Sequence, residues 1–425
     1  MKYNKWTVAL AALGVVSFAS AAKAEEKASP VMTALSSTTI SGYVDTSAEW
    51  NPGTGNANLP PYKFNGPAKA DGFNLDVIQL RIDKPLDEQD WAAGYRLDLW
   101  FGPDANTLGT QSAWGNFNHP VGNNAADFGI RQAYVALRAP VGTGLDFKVG
   151  VFDSIIGYES IESGNNPNFT RSYGHSIEPQ TETGLLVSYR FCDCFSVSAG
   201  VADTIGPNIN DRAFAPLGAP ASGETEAESY KTYMASFALT APDSWGFLSG
   251  STLYAGFVNG FKDSAYLRGI TARPITETSY YVGTTVATPV TGLRAGASFD
   301  YLDINPLNND DYSFAGYLSY QATEKLSFHA RAEYFKDNLN AGGEGLLFDY
   351  GAGSLGATGK AEVLALTATT QYDLWKNVIS RLEIRWDHSL LGNDLFGGNP
   401  NTAAANVHPD EKNAWLLAAN IIYKF

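Results

Sequence analysis

Apolar residues in this chain recur on every second position, in runs of about ten residues, and the positions between them carry charge. Ala93, Tyr95, Leu97, Leu99 and Phe101 alternate with Gly94, Arg96, Asp98 and Trp100. Leu293, Ala295, Ala297, Phe299 and Tyr301 alternate with Arg294, Gly296, Ser298 and Asp300. Within Leu326–Lys336 the interleaved set is Ser327, His329, Arg331 and Glu333, and within Ser380–Asp387 it is Arg381, Glu383, Arg385 and Asp387. The chain ends in the same pattern, with Leu417, Ala419, Ile421, Tyr423 and Phe425 on one face and Ala418, Asn420 and Lys424 on the other. A period of two belongs to a strand, and about ten residues is the length at which a tilted strand crosses a bilayer.

The first residues point to export. Met1–Lys5 is a short basic region, Trp6–Ala22 is apolar, and Ala22-Lys23-Ala24 is a small-x-small cleavage site, so residues 1–24 read as a signal peptide. Beyond it no stretch approaches about 18 unbroken apolar residues, so any membrane crossing has to use strands. A chain of 425 residues with 42 Gly, 22 Tyr, 23 Phe and 9 Trp suits many strands and turns. The formal charge of −15 becomes −18 once Lys2, Lys5 and Lys23 leave with the signal, which disfavours nucleic acid as a partner.

A soluble sandwich also has a charged face and an apolar one, so the rhythm of the connections decides. Tight turns fall near Lys84–Asp90, Ala139–Thr143, Cys192–Cys194, Ala241–Ser244, Thr288–Gly292, Gln321–Lys325 and Asp373–Asn377. Between them lie long polar loops near Asn51–Asp71, Gly102–Asp127, Asp153–Gln180, Asp203–Glu228, Gly260–Thr276, Asp303–Asp311, Asp337–Gly359 and Leu390–Lys412. Short and long connections in alternation, with about sixteen strands, predict an all-β fold: a transmembrane antiparallel β-barrel over residues 37–425. Its short turns are periplasmic and its long loops extracellular, residues 25–36 form a periplasmic extension, and the lumen is wide enough to hold water. Parity breaks near Val77, where a bulge is expected, and Phe247–Asn259 reads on either face.

Ile40–Ser47, Gly150–Glu159, Asn166–Ser172, Thr181–Gly184 and Ser380–Asp387 together resemble the OmpL-like β-barrel porin family, and the aromatic last residue Phe425 resembles the closing strand of outer-membrane barrels. The resemblance implies the outer membrane of a Gram-negative-type bacterium, membrane lipid around the barrel, small polar solutes or ions as cargo, and no cofactor. In general porins, which the chain is similar to in architecture, the third long loop folds inward and faces wall arginines. Here that loop is Asp153–Gln180, with Asp153, Glu159, Glu162, Arg171, His175 and Glu178. The wall candidates are Arg81, Arg96, Arg294, Arg331, Arg381 and Arg385, with Asp98, Glu333 and Glu383 beside them. Acid facing base across a wet gap makes a transverse field; equally, a charge in a wide lumen is simply solvated, and the Arg381–Asp387 set is as well suited to stiffening the wall. Net acidity favours a weak cation preference, although charges beyond about 8 to 10 Å are screened.

Other motifs carry less. Gly351–Gly356 matches the letter of a dinucleotide fingerprint without a crossover unit around it. Asp303–Asp311 offers oxygen ligands but lacks the glycine and closing glutamate of a helix-loop-helix calcium site, so a turn rich in Asn and Asp is the expectation. Cys192-Asp-Cys194 sits in a periplasmic turn where a small, strained disulfide ring is permitted. None of His119, His175, His329, His388 and His408 lies in a nucleophile motif, and His388 shares the outward parity of Trp386, so no enzyme is expected. Two classes of function stay open, a diffusion porin and a non-conducting structural or adhesion barrel, and so does assembly into a homotrimer.

Overall fold

Each run of period two is a strand, and in the computed structural model the strands hydrogen-bond into one closed antiparallel barrel. The described residues are 37–53, 55–110, 127–213, 229–262, 275–305, 309–338, 347–348, 360–398 and 408–425. The sixteen strands are β1 (Thr39–Trp50), β2 (Phe73–Lys84), β3 (Ala93–Phe101), β4 (Phe128–Ala139), β5 (Leu145–Asp153), β6 (Thr181–Cys192), β7 (Phe195–Ala202) and β8 (Thr232–Thr240), then β9 (Thr252–Phe261), β10 (Thr276–Ala287), β11 (Leu293–Asn305), β12 (Asn309–Gln321), β13 (Leu326–Asn338), β14 (Lys360–Trp375), β15 (Val378–Ser389) and β16 (Asn413–Lys424). Residues 1–24 and 25–36, expected to be a signal peptide and an extension, together with His119 and Gly351–Gly356, lie outside the described residues.

Consecutive strands pair with one another, and β16 returns to β1 through a ladder from Tyr43↔Lys424 to Trp50↔Leu417. Gly42 and Phe425 exchange both backbone hydrogen bonds, at 2.9 and 3.0 Å, just beyond that ladder. A Cβ on Gly42 would come within 2.7 Å of the Phe425 ring, so glycine is what lets the seam close this tightly. Closure matters because hydrocarbon supplies no partner to an open strand edge.

The alternation maps onto the two faces of the wall. Leu382 is 66% exposed while its neighbours Arg381 and Glu383 are 2% and 4% exposed, and Leu417, Ala419 and Ile421 point outward around buried Ala418 and Asn420. His388 faces outward as its parity requires, stacked 5.2 Å from Trp386.

Two bulges break the period. The β1–β2 register jumps between Asp45↔Val77 and Thr46↔Leu75, which leaves Asp76 unpaired and turns both Asp76 and Val77 inward, as the parity change predicts. The β3–β4 register jumps between Asp98↔Gln132 and Leu99↔Ile130, so that Arg131 and Gln132 are both buried inside.

Three expectations need correction or resolution. Asp303–Asp311 is not a long loop: the ladder continues through Asp303↔Asp310 and Ile304↔Asn309, so β11 and β12 are joined by residues 306–308 alone. The connection at Ala241 is longer than a tight turn, with a 3-10 segment at Asp243–Leu248 before β9 begins. Phe247–Asn259 is ambiguous because both faces of β9 are apolar: Leu253 and Phe257 meet lipid while Tyr254 and Val258 pack inside with Ile156.

Ile384, 42% exposed near the middle of β15, tests which face meets hydrocarbon. Ile384→Arg is expected to lower the unfolding free energy in phospholipid vesicles by about 2–4 kcal/mol. Ile384→Leu, which keeps the volume and the apolar surface, should change the same urea titration by less than about 1.5 kcal/mol.

Candidate pore constriction

The connection from β5 to β6, residues 154–180, turns back into the barrel. Here it is called L3, and the connection from β1 to β2, residues 51–72, is L1. An irregular segment buried this way has to satisfy its own backbone, and L3 does so with short-range polar contacts. Asn166 Oδ1 accepts from the Ser160 amide at 2.7 Å, and Asn166 Nδ2 donates to the Glu162 carbonyl at 3.2 Å. Ser172 caps the short helix Tyr173–Ile177 by accepting from the His175 amide at 3.0 Å. Gln180 Nε2 donates to the carbonyls of His175 and Glu178 at 2.9 and 3.0 Å.

Against β13–β16, charged wall side chains bond mostly to the L3 backbone. Arg331 donates to the Thr170 and Arg171 carbonyls at 2.8 and 3.1 Å, and Arg385 to the Arg171 carbonyl at 2.6 Å. Arg381 reaches the Ser163 carbonyl and Lys424 the Gly164 carbonyl, each at 2.9 Å. In the other direction Glu383 accepts from the Phe169 and Thr170 amides at 2.6 and 2.9 Å, and Glu333 from the Gly174 amide at 2.9 Å. Glu159 pairs with Arg331 at 2.8 Å, and Tyr173 Oη donates to Asp387, itself paired with Arg385 at 2.8 Å.

Against β2–β4 the anchor is one ionic cluster. Glu162 meets Arg81, Arg131 at 2.9 Å and Arg96 at 3.5 Å; Asp98 meets Arg81, Arg96 and Arg131 at 2.8, 2.9 and 2.7 Å; and Asp153 meets Arg131. Three guanidinium cations therefore face three carboxylates. Burial pushes the Glu162 carboxyl up, but Arg81, Arg131 and Arg96 more than offset it and hold it at about 2. Burial likewise opposes ionisation of Glu159, yet Arg331, the Ser172 amide and Arg171 bring its carboxyl below the ordinary value. His175 is driven down to about 3 by burial, so its ring is neutral near pH 7. Glu178 is pushed well above its usual range by burial and by Asp300 on β11, with which it shares a hydrogen bond.

L1 covers L3. The Tyr62 ring lies 3.9 Å from the Arg385 guanidinium, Phe64 stands 5.5 Å from Arg171 and 5.8 Å from Trp100, and Lys69 pairs with Asp76 and Asp104 at 2.7 and 2.6 Å. Between L3 and the wall of β3–β7 a gap of about 20 Å³ is left, room for about one water. Arg96, Arg131, Gln132, Lys148, Asp153, Leu186, Ser188 and Ser198 line its wall side, and Ile155, Ser160, Glu162 and Asn165 its loop side.

The expected residues thus divide by place. Asp153, Glu162, Arg81, Arg96 and Asp98 come together in the cluster, and Glu159, Arg331, Glu333, Arg381, Glu383 and Arg385 hold L3 to the opposite wall. Arg171 borders not this gap but a second of about 20 Å³ between L1, L3 and β1, and it donates to the Ile161 and Phe169 carbonyls at 3.0 and 2.9 Å. Glu178 sits against His175 at 3.2 Å, and Arg294, at the start of β11, donates to the Gly250 carbonyl at 3.3 Å. Cys192 and Cys194 form a disulfide in the exposed turn after β6. Among the described residues no group of His, Cys, Asp and Glu is arranged to hold a metal. Alternation alone misses Arg131, which a bulge turns inward, and Lys148, Tyr62 and Phe64, while it gives the inward face of Lys424 but not its tie to L3; a basic residue at a lipid-facing parity is the available signal for Arg131.

Removing one partner of a buried ion pair typically costs about 3–5 kcal/mol, and Glu162→Gln should destabilise the folded barrel on that scale. Its native value is below the ordinary 4.5, so its contribution is present above pH 4.5 and is lost as pH falls toward about 2. Urea midpoints measured across that window should fall more steeply in the parent than in the variant.

The family model described as "Putative beta-barrel porin-2, OmpL-like" matches residues 37–425. No curated protein sequence matches the chain. Among solved structures it is similar to OprB of Pseudomonas putida (TM-score 0.55, 12% identity, 91% of this chain and 94% of that one). It is also similar to an anion-selective porin from Comamonas acidovorans (0.54, 11%, 92% and 99%) and to the channel DcaP of Acinetobacter baumannii (0.53, 13%, 91% and 97%). At these identities the likeness is one of fold, whereas the family match spans the whole barrel: the chain belongs to the OmpL-like β-barrel porin-2 family, outer-membrane proteins of Gram-negative bacteria.

Proposed function

We propose that the barrel is a diffusion porin for ions and small polar solutes, with its narrowest section at the gap between L3 and β3–β7. The observation that carries this reading is the lining: beside Ile155 and Leu186, charged groups and hydroxyls converge on a water-sized gap, while apolar residues fill the space where L3 meets β8–β10. Such a lining offers a hydrated ion substitutes for its water ligands. Transport is passive, driven by the solute's own gradient, with no covalent step.

A specific observation favours a second reading, a non-conducting barrel. L3 is bonded to both walls at once, through Glu162 on one side and Glu159, Glu333 and Glu383 on the other, and L1 lies over it. A plug would be built in the same way.

The chain's net acidity alone predicts a weak preference for cations. Loop charges far from the gap are screened within about 8 to 10 Å, so the local lining weighs more than the total.

Single-channel recording in planar bilayers separates the two readings. A porin gives discrete steps of small unitary conductance, because the gap holds about one water. Glu162→Gln, which cuts the loop's tie to β2–β4, should raise the step size. A correctly folded barrel that gives no steps, in the parent and the variant alike, leaves the plugged reading.

A further inference from the structure

The charges around the gap cancel in the cluster and leave one over. Arg81, Arg96 and Arg131 are matched by Asp98, Asp153 and Glu162, each of these groups within ion-pair distance of another. Lys148 lines the same gap from β5 and is different: among the described residues it makes no ion pair, and its ammonium lies 5.1 Å from the Tyr134 ring. Its ladder neighbours are Ala136 on β4 and Leu186 on β6, neither of which offers a counter-charge. Toward the periplasm the next charged wall groups, Arg138 and Asp146, are paired with each other at 2.6 Å. Glu182, higher on β6, is fully buried and does not border the gap.

From this placement we propose that Lys148 sets the sign of the constriction, so that anions pass in preference to cations and small carboxylate-bearing solutes are the favoured organic cargo. The inference rests on the porin reading and goes beyond it. A cluster of matched pairs contributes dipoles, whose effect falls off steeply. An unmatched ammonium contributes a whole charge, in a passage where low-dielectric walls focus it. Beside it Ser188 and Ser198 hydrogen-bond to each other at 2.8 Å and keep one hydroxyl proton between them for an oxyanion, while the Tyr134 ring faces the ammonium without neutralising it. The preference for anions runs against the chain's net charge of −15, and the geometry explains why: the acidic excess does not sit at the gap.

The test is the reversal potential of the refolded parent in a tenfold potassium chloride gradient, repeated for Lys148→Gln and for Lys148→Met, which keeps the apolar stem against Tyr134. Folding is checked for each by heat-dependent gel mobility and circular dichroism. The parent is expected to reverse on the anion side. Either folded variant should lower the anion-to-cation permeability ratio roughly fivefold, the Boltzmann weight of one unit charge at contact distance in water. Swelling of proteoliposomes in isotonic succinate should slow relative to arabinose in the same variants. A parent that reverses on the cation side overturns the proposal, as does a variant with an unchanged ratio; in both cases the porin reading stands. Absence of steps from folded protein overturns both.

Discussion

Everything in this molecule follows from the demand that a backbone inside hydrocarbon find all its hydrogen bonds within the protein. Sixteen strands meet that demand by closing, with Gly42 and Phe425 sealing the last edge. Closure gives every strand one face in lipid, and charge on that face is expensive, so polar residues are driven inward. The consequence is crowding. Arg131, Arg331, Arg381 and Arg385 are each no more than 2% exposed, in a space that a sixteen-stranded wall would otherwise leave open to water.

Guanidinium groups taken out of water need partners, and L3 supplies them. Two kinds of contact divide the labour. On β13–β15 the wall uses Arg331, Glu333, Arg381, Glu383 and Arg385 as if they were neighbouring strands, satisfying carbonyls and amides of a segment that has no ladder of its own. On β2–β4 the contact is side chain to side chain, through Glu162. The remaining sector is mostly apolar: β8–β10 present Met234, Val258 and Tyr281 to Ile156, Gly296 on β11 leaves the space that the Tyr158 ring occupies, and the polar contacts are Tyr158 Oη with Thr285 at 3.3 Å and Glu178 with Asp300. Loop and wall are therefore each incomplete without the other, and the buried ions specify one seating of the loop.

The wall was legible from sequence because period two survives translation into structure almost residue for residue. The last strand, β13 and β15 could be placed on their faces from Leu417, Arg331 or Glu383 alone. What escaped is what breaks the period or does not depend on it. Arg131 escaped because a bulge shifts its parity, whereas the bulge at Asp76 left a visible trace in the alternation around Val77. β9 was ambiguous because a loop from elsewhere in the chain makes its inner face apolar too. The charges of L3 were visible, but not whether they would be solvated or paired, since pairing depends on where an irregular loop comes to rest. Arg171 shows the limit: from sequence it is one more basic residue in the loop, and in the fold it is a clamp on the carbonyls of Ile161 and Phe169.

That distinction between paired and unpaired charge also separates the stability of the constriction from its selectivity. Each ion pair that fixes L3 removes a carboxylate and a guanidinium together from the field a passing ion feels, so the strongest contacts contribute least to choosing the ion. Conductance depends on them in another way. On the porin reading, a solute larger than the water-sized gap passes only when L3 yields, and that local opening breaks the loop's ties at Glu162 and on β13–β15 rather than the ladders of the barrel. Acid weakens the cluster around Glu162 first at the carboxylates, while the ladder hydrogen bonds do not titrate, so acidification loosens the seat of L3 before it reaches the wall.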